Sequence, residues 1–336
     1  MRVLSRSGRV VTWSPSVTLV PTRQCFNACS YCSFRVPLGA DAWLGDRQAE
    51  AQLQARPGAL EVLLLSGEVA PAAANRRDWF ERLRALSRLA LARGRLPHTN
   101  AGPLQRAEMA ALARLNPSMG LMLEGLGPAY GRDHRHAPSK ALLARLEQLE
   151  QAGRLGIPFT TGLLLQRGET HAQRREALEL LALLQRQWGH IQEVILQPWQ
   201  PGPGALQHRR APAQGGLQDL LETIAEARAI LPPEVHLQLP PNLVPLEHLG
   251  EALEAGIDDL GGIDVHDVIN PTWPQPTPAA LAARLQQQGW LLQPRLCVHE
   301  GWIAGLPAAL RARVARLQQA LAAAWDRPDQ RSLEAC

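Results

Sequence analysis

The sequence predicts an α/β protein folded as a (β/α)8 barrel of the TIM type with a C-terminal helical extension. Three observations carry that prediction. Short β-rich runs alternate with longer helical stretches eight times in series, the pattern of parallel strands joined by crossover helices. No G-x-G-x-x-G turn opens the first helix, as a dinucleotide-binding open sheet would require. At 336 residues, 46% hydrophobic and 20% charged, the chain has room for one barrel of about 250 residues and a further segment. An open doubly wound sheet is the alternative arrangement of the same units.

The first strand is read at Val17–Pro21, followed by a helix at Gly45–Ala55. Glu61–Leu65 and Arg77–Arg93 form the second unit, Leu96–Thr99 and Leu104–Leu115 the third, Ser118–Leu123 and Ser139–Ala152 the fourth. Pro158–Leu165 precedes Ala172–Trp188, and Glu193–Gln197 precedes Leu217–Leu231. Val235–Leu239 precedes Leu246–Ala255, and Asp259–Ile263 precedes Pro278–Gln288. The helical stretches set apolar residues three and four apart, as in Leu142, Leu143, Leu146 and Leu149, so that one face covers a sheet. Glycine or proline stands at most joints, for example Gly153, Gly156, Pro158 and Gly256. Beyond Gly289 come an apolar run, Trp290–Val298, a long helix, Pro307–Trp325, and a polar tail. Residues 1–302 are therefore expected to form the barrel, and 303–336 a capping helix and tail rather than a second domain. The Pro-, Gly- and Gln-rich stretch Pro198–Gly216 reads as a mobile loop above the barrel mouth.

Thirty-five basic residues against 31 acidic ones leave a formal charge of +4, and Lys140 is the only lysine. No basic run is interleaved with aromatics, so no nucleic-acid partner is expected. No apolar run approaches the ~20 residues that span a bilayer, and residues 1–9 lack an apolar signal core. The expectation is a soluble, cytoplasmic protein with no membrane partner. Five cysteines are an odd set, and Cys25, Cys29 and Cys32 fall within eight residues. A secreted protein would spread an even set as staples, whereas crowded thiols in a reducing compartment hold a metal or do redox chemistry.

These cysteines lie in TRQCFNACSYCSF, directly after the first strand, where barrels carry their functional loops. Their spacing is C-x3-C-x2-C. Structural zinc takes four protein ligands, and no second cysteine pair follows. Three thiolates instead suit a 4Fe-4S cluster with one iron left open to a small molecule. A zinc knuckle completed by a remote histidine such as His98 is the alternative. Cys297 and Cys336 lie outside the motif and are expected to be dispensable.

A C-x3-C-x-aromatic-C loop after the first strand of a (β/α) barrel resembles the radical S-adenosylmethionine (radical SAM) superfamily. The resemblance implies that Cys25, Cys29 and Cys32 bind the 4Fe-4S cluster, whose open iron chelates the amine and carboxylate of SAM. It sets Tyr31 near the adenine, the plainer alternative being a loop aromatic buried for packing. Ser66-Gly67-Glu68, after the second strand, is similar to the Gly-Gly-Glu turn that bonds the methionyl amine. Arg145, before strand five, falls where related enzymes place an arginine against the SAM carboxylate; a solvated helix arginine is the alternative. Glu124, closing strand four, is expected at the ribose hydroxyls or as a structural acid. Gly162-Leu-Leu-Leu-Gln166-Arg-Gly168-Glu169 resembles a G-x-I-x-G-x-x-E motif whose backbone approaches adenine. Gln166 departs from it at the second glycine, and its Cβ crowds the nucleoside if positive φ or close approach is needed there.

Longer strings narrow the resemblance: LPHTNAG (Leu96–Gly102), NPSMGLMLE (Asn116–Glu124), IPFTTGLL (Ile157–Leu164), GHIQEVILQ (Gly189–Gln197), PPNL (Pro240–Leu243) and AGIDDLGGI (Ala255–Ile263). Over roughly residues 16–300 they are similar to the 7,8-didemethyl-8-hydroxy-5-deazariboflavin (FO) synthase family, FO synthase subunit 1, with Pro198-Trp199 departing from the expected Asn-aromatic pair. The resemblance implies a 5′-deoxyadenosyl radical that removes hydrogen from an adduct of a hydroxybenzyl group with a ribitylaminouracil. Ring closure and ammonia loss follow, making the enzyme a lyase of the ammonia-lyase type. FO synthase subunit 2 is then the functional partner that supplies the adduct, and a ferredoxin- or flavodoxin-class protein the electron donor. A pyrimidinedione, a phenol and a polyol call for neutral hydrogen-bonding groups, and Asn100 is the foremost candidate. His98, Thr161, Gln197, Asn242, Asp264 and His266 are further candidates, each with the plainer reading of a loop cap or buried backbone partner. Two other functions share these features. One is a sister radical SAM enzyme, either the hydroxybenzyl-transferring subunit 2 or a menaquinone-pathway enzyme. The other, of a different class, is a non-catalytic iron–sulfur or zinc protein serving interactions.

Overall fold

The computed structural model describes residues 9–202 and 216–325, and its strands close into a ring. β1 (Arg9–Leu19), β2 (Glu61–Leu65), β3 (Leu96–Asn100), β4 (Ser118–Gly120), β5 (Phe159–Leu165), β6 (Ile191–Pro198), β7 (His236–Gln238) and β8 (Asp259–Ile263) follow one another around it. Every neighbouring pair is parallel. β1 closes the ring, with Ser16 opposite Glu61 of β2 and Pro15 opposite Ile263 of β8. β9 (Trp290–Pro294) pairs with the lower half of β1, from Arg9 opposite Trp290 to Trp13 opposite Pro294. The chain is a closed barrel, and the open-sheet alternative falls away.

Helices α1 (Asp46–Gln54), α2 (Arg76–Ala92) and α3 (Arg106–Ala113) follow the first three strands, and a short α4 (Pro128–Asp133) precedes α5 (Leu142–Arg154). α6 (His171–Trp188), α7 (Gly216–Ile230), α8 (Leu249–Ala255) and α9 (Pro278–Gln287) complete the coat, and α10 (Ala308–Trp325) follows β9. α6 shows why such segments fold. Thr170 Oγ1 accepts from Gln173 N at 3.3 Å while Gln173 Oε1 accepts from Thr170 N at 2.9 Å, satisfying two otherwise orphaned donors. Gly189 ends the helix at φ 64, a conformation glycine adopts without a Cβ penalty. Ala177, Leu178, Leu181 and Ala182 form its buried face, and each leucine removed from water contributes roughly 1.5–3 kcal/mol.

Several boundaries depart from the sequence expectation, and for three of them the structure shows the physical reason. β1 starts at Arg9 because residues 9–13 pair with β9, and a register shift against β8 between Thr12 and Ser14 accommodates Pro15 and its missing N–H. β4 stops at Gly120, since Glu124 turns to φ 78 and keeps only an isolated bridge to Leu163. The fourth helix starts at Leu142, after a 3-10 turn at Pro138–Lys140, and α4 occupies a stretch whose periodicity is silent. Most of the Pro198–Gly216 loop, at 203–215, and the polar tail, at 326–336, lie outside the described residues.

The N-terminal strand ends form a polar floor closed by the segment after β9. Arg295 donates to Asp259 at 2.5 and 2.6 Å and to Glu193 at 2.9 Å, and His299 Nε2 lies 3.1 Å from Glu193. Ser118 Oγ donates to the Cys297 carbonyl and meets His98 Nδ1, both at 2.7 Å. Leu96, Leu296, Val298, Leu310 and Val314 cluster together and seat α10 against this end. No helix of the described residues is long and apolar enough to cross a membrane. With the floor filled, open space lies at the opposite, C-terminal end of the strands.

Candidate active site

The cysteine loop leaves β1 and is held over the barrel mouth by backbone bonds to two other segments. Gly67 N donates to the Thr22 carbonyl at 2.8 Å and Phe26 N to the Glu68 carbonyl at 3.0 Å, docking the loop on the turn after β2. Ala28 N and Ser30 N donate to the carbonyls of His136 and Asp133, at 2.7 and 3.1 Å, docking it on the segment around α4. A Cβ on Gly67 would collide with the Gln24 carbonyl, so only glycine lets the loop approach this closely. Cys25, Cys29 and Cys32 are free thiols lining one open cavity, whose empty space together with the adjoining solvent is about 1130 Å³. Glu68 N donates to Cys25 Sγ at 3.3 Å. Burial, with neighbouring Glu124, Cys32 and Glu68, pushes the Cys29 thiol up to about 12 against the opposing charge of Lys140. A metal that binds such a buried thiol displaces its proton, which is released to solvent.

Below the loop, four charged side chains from three segments form a balanced quartet. Glu68 Oε1 accepts from Arg145 Nη2 at 2.8 Å, and Glu68 Oε2 accepts from Asn27 Nδ2 at 3.0 Å and from Ser139 Oγ. Lys140 Nζ donates to Glu124 Oε1, and Tyr31 OH donates to Glu124 Oε2 at 2.8 Å. Burial by itself would raise both carboxyls, but Arg145 and Lys140 beside them hold Glu68 below its ordinary value and Glu124 at about 2. The solvated-helix alternative for Arg145 is excluded, because its side chain is 1% exposed. Tyr31 packs edge-on to His134, whose Nε2 lies 3.1 Å from the phenol oxygen. Gly102, at φ 81, leaves room that a Cβ would take from the Glu68 side chain.

The expected residues divide cleanly by place. Tyr31, Ser66, Gly67, Glu68, Asn100, Glu124, Arg145 and Gln197 line the cavity with the three cysteines. Gly162 does not; a Cβ there would strike the Ile195 carbonyl, so its smallness serves the close β5–β6 pairing. Gln166 adopts φ 66, the left-handed conformation in which a glycine is at ease, and its Nε2 donates to the Gly216 carbonyl at 3.0 Å. Five substrate candidates lie outside this lining and need correction. His98 lies in the floor, where burial and Arg295 bring it down to about 3. Thr161 is fully buried among core side chains, with no hydrogen-bond partner for Oγ1 among the described residues. Asn242 is not in the lining; it donates to the Trp273 carbonyl at 2.9 Å and, at 2.8 Å, to Asp267 Oδ2, which also accepts from the lining residue Asn270. Asp264 and His266 line a separate groove beside α1. Two features of strand geometry account for the strand candidates: alternation turns Thr161 to the face opposite cavity-lining Leu164, and His98 shares the face of Asn100 but lies in a lower layer of the barrel.

Lining residues that the sequence reading missed are Asn27, Lys140, Trp199, Gln200 and Asn270. Lys140 carried a signal as the sole lysine of the chain, and Trp199 as the aromatic of the departing Pro198-Trp199 pair. Arg167 sits 4.2 Å from the Trp199 ring centroid and 5.4 Å from that of Tyr31, and pairs with Asp133 at 2.8 Å. It thereby joins the end of β5 to the cysteine loop.

The residues fit an iron–sulfur cluster with SAM. Three free thiols face one cavity, two flanking glycines leave space, and Arg145 Nε is buried without a partner among the described residues. They do not form the zinc knuckle completed by His98. Among the described residues no three His, Cys, Asp or Glu side chains converge on one metal position, and His98 is committed to the floor.

Comparison with known proteins agrees. Residues 19–181 match the radical SAM superfamily. Over 312 residues, 91% of either chain, the sequence is 51% identical to a 7,8-didemethyl-8-hydroxy-5-deazariboflavin synthase of Synechococcus elongatus. Over 310 residues, 91% of this chain and 98% of the other, it is 50% identical to the synthase of Thermosynechococcus vestitus. Among solved structures, the FeFe-hydrogenase maturase HydG from Carboxydothermus hydrogenoformans aligns with a TM-score of 0.69 at 18% identity, covering 97% of this chain and 80% of that one. Methylornithine synthase aligns at 0.65 and 15% identity, covering 84% and 83%. At such identities the likeness is one of fold.

Proposed function

Because the chain belongs to the 7,8-didemethyl-8-hydroxy-5-deazariboflavin synthase family of the radical SAM superfamily, we infer that its cavity forms the deazaflavin FO from a hydroxybenzyl–ribityliminouracil adduct. The observation that carries this reading is the convergence of three free thiols, the Glu68–Arg145 and Glu124–Lys140 pairs and neutral amides in one cavity. When bound, the 4Fe-4S cluster and SAM supply a low-potential electron and the hydrogen-abstracting radical. The chain supplies everything that directs them.

Cys25, Cys29 and Cys32 hold the cluster at the mouth. Glu68 accepts from the methionyl amine, Arg145 donates to the carboxylate, and Glu124, kept ionised, accepts from the ribose. Tyr31 and the turn Ser66–Gly67 border the same ligand. Asn100, Gln197, Gln200 and Asn270 face the remaining space with neutral amides, which suit a pyrimidinedione and a polyol. Leu65, Met122, Phe34 and Trp199 give the phenol an apolar surface and keep water from competing for a radical. In this proposal ammonia leaves on ring closure, FO synthase subunit 2 supplies the adduct, and a ferredoxin- or flavodoxin-class protein supplies electrons in the cytoplasm.

The test uses the anaerobically reconstituted enzyme with SAM, a reductant and either the purified adduct or tyrosine plus ribitylaminouracil. The adduct should yield FO fluorescence, ammonia and 5′-deoxyadenosine, and Asn100→Ala should slow that turnover with the cluster intact. Consumption of tyrosine without FO would assign the chain to the sister enzyme instead.

A further inference from the structure

We propose that Lys140 is an additional SAM-binding residue, sharing the methionyl carboxylate with Arg145; this rests on reading the cavity as a SAM site. The first observation is compositional. Of 35 lysines and arginines, Lys140 alone is lysine, and it lines the cavity. Elsewhere the chain uses the planar guanidinium fork; here it places a compact ammonium with three tetrahedral donors.

Geometry supplies the second observation. Lys140 Nζ donates to Glu124 Oε1 and stands 3.8 Å from Glu68 Oε1, outside hydrogen-bond reach, so it lies between the two carboxylates. One N–H of the three therefore has a partner among the described residues. Its side chain is only 16% exposed, and a buried donor left unused costs free energy until a ligand completes it. Arg145 Nε, in a side chain 1% exposed, is unpartnered as well. Two cations with donors to spare thus flank two anions that are already neutralised. Such a quartet is complementary to a zwitterion: the ligand amine replaces the Arg145 contact at Glu68, while its carboxylate takes the freed N–H of Arg145 and the unused N–H groups of Lys140. A plain counter-ion to Glu124 would need neither the position between the carboxylates nor the unused donors.

The test compares binding of SAM and of decarboxylated SAM to the cluster-loaded enzyme and to its Lys140→Met variant. SAM affinity should fall roughly 10-fold or more in the variant, as for loss of a charged hydrogen bond, while decarboxylated SAM should change little. Equal weakening of both compounds, or wild-type affinity for SAM, would overturn the proposal. Failure of the wild-type enzyme to bind SAM would instead overturn the reading of the cavity beneath it. A second measurement does not depend on the variant folding. With [ε-13C]lysine the wild-type enzyme carries one labelled side chain, so its NMR spectrum reports Lys140 alone. The signal should shift with SAM and much less with decarboxylated SAM; identical responses would also overturn the proposal.

Discussion

Arg145 Nη2 meets Glu68 Oε1 at 2.8 Å, tying α5 to the turn after β2 directly beneath the cysteine loop. Residues 77 positions apart thus form one polar unit, with Asn27 of the loop as its third corner. Each carboxylate expected to receive SAM is already held ionised and oriented before any ligand arrives. Such preorganisation lowers the cost of ordering a flexible zwitterion.

Arg145→Ala should show what this pair is worth. Breaking a buried pair by removing one partner costs about 3–5 kcal/mol, and Lys140 at 3.8 Å from Glu68 places the expected loss at the lower end. Urea unfolding should register that loss, and SAM binding should weaken roughly 10- to 100-fold with iron content unchanged. Wild-type SAM affinity would return Arg145 to a purely structural role.

Acid should act through Glu124. Its folded value of about 2 lies below the ordinary 4.5, so its contribution is complete above about pH 4.5 and is lost as pH falls toward 2. That contribution is worth about 3 kcal/mol at most. Glu124→Gln should be less stable at pH 7 and lose less on acidification. Chemical unfolding measured from pH 7 to pH 3 would show parallel curves for the two proteins if the carboxylate were not held this way.

Gly67→Ala tests the docking of the cysteine loop. The new Cβ meets the Gln24 carbonyl, which has to move, at a cost of about 1–3 kcal/mol. Iron incorporated on reconstitution should drop with it. Gly131→Ala is the control, since a Cβ there meets open space inside α4 and should raise stability by about 0.5–1 kcal/mol. Equal iron content in the two variants would contradict the docking argument.

At position 166 the backbone itself makes a prediction. Gln166 stands at φ 66, where a side chain costs about 1–2 kcal/mol more than glycine. Both Gln166→Gly and Gln166→Ala lose the bond to the Gly216 carbonyl, so their difference isolates the backbone. The glycine variant should be the more stable by that amount, reversing the usual order of the two residues. Thermal unfolding of the pair decides the matter, and a more stable alanine variant would refute it.

Several features were legible in the linear chain because their physics is local. Helix periodicity, the Gly and Pro joints and the closely spaced Cys25, Cys29 and Cys32 each depend on neighbours a few residues away. Glu68, Asn100 and Arg145 were reachable through short strings whose strand context could be read. Asn27 and Lys140 were not named as ligand contacts, because their partners are remote: Asn27 bonds to Ser139, 112 positions away. His98 misled for the complementary reason. Two residues before Asn100 on the same strand, it enters a lower layer of the barrel and bonds to Ser118.

By itself the sequence determined the eightfold strand–helix alternation, the barrel it implies and the three thiols of one loop, because turns, amphipathic faces and ligand spacing are written in adjacent residues. Only the tertiary structure decided which end of the barrel is filled and which is open. It also decided that Arg295 plugs the floor and that Glu68, Glu124, Lys140 and Arg145 balance one another at the mouth. Electrostatic and hydrogen-bond energies depend on distance through space, and closure of the ring brings β2 and α5 together in a way that no local pattern records.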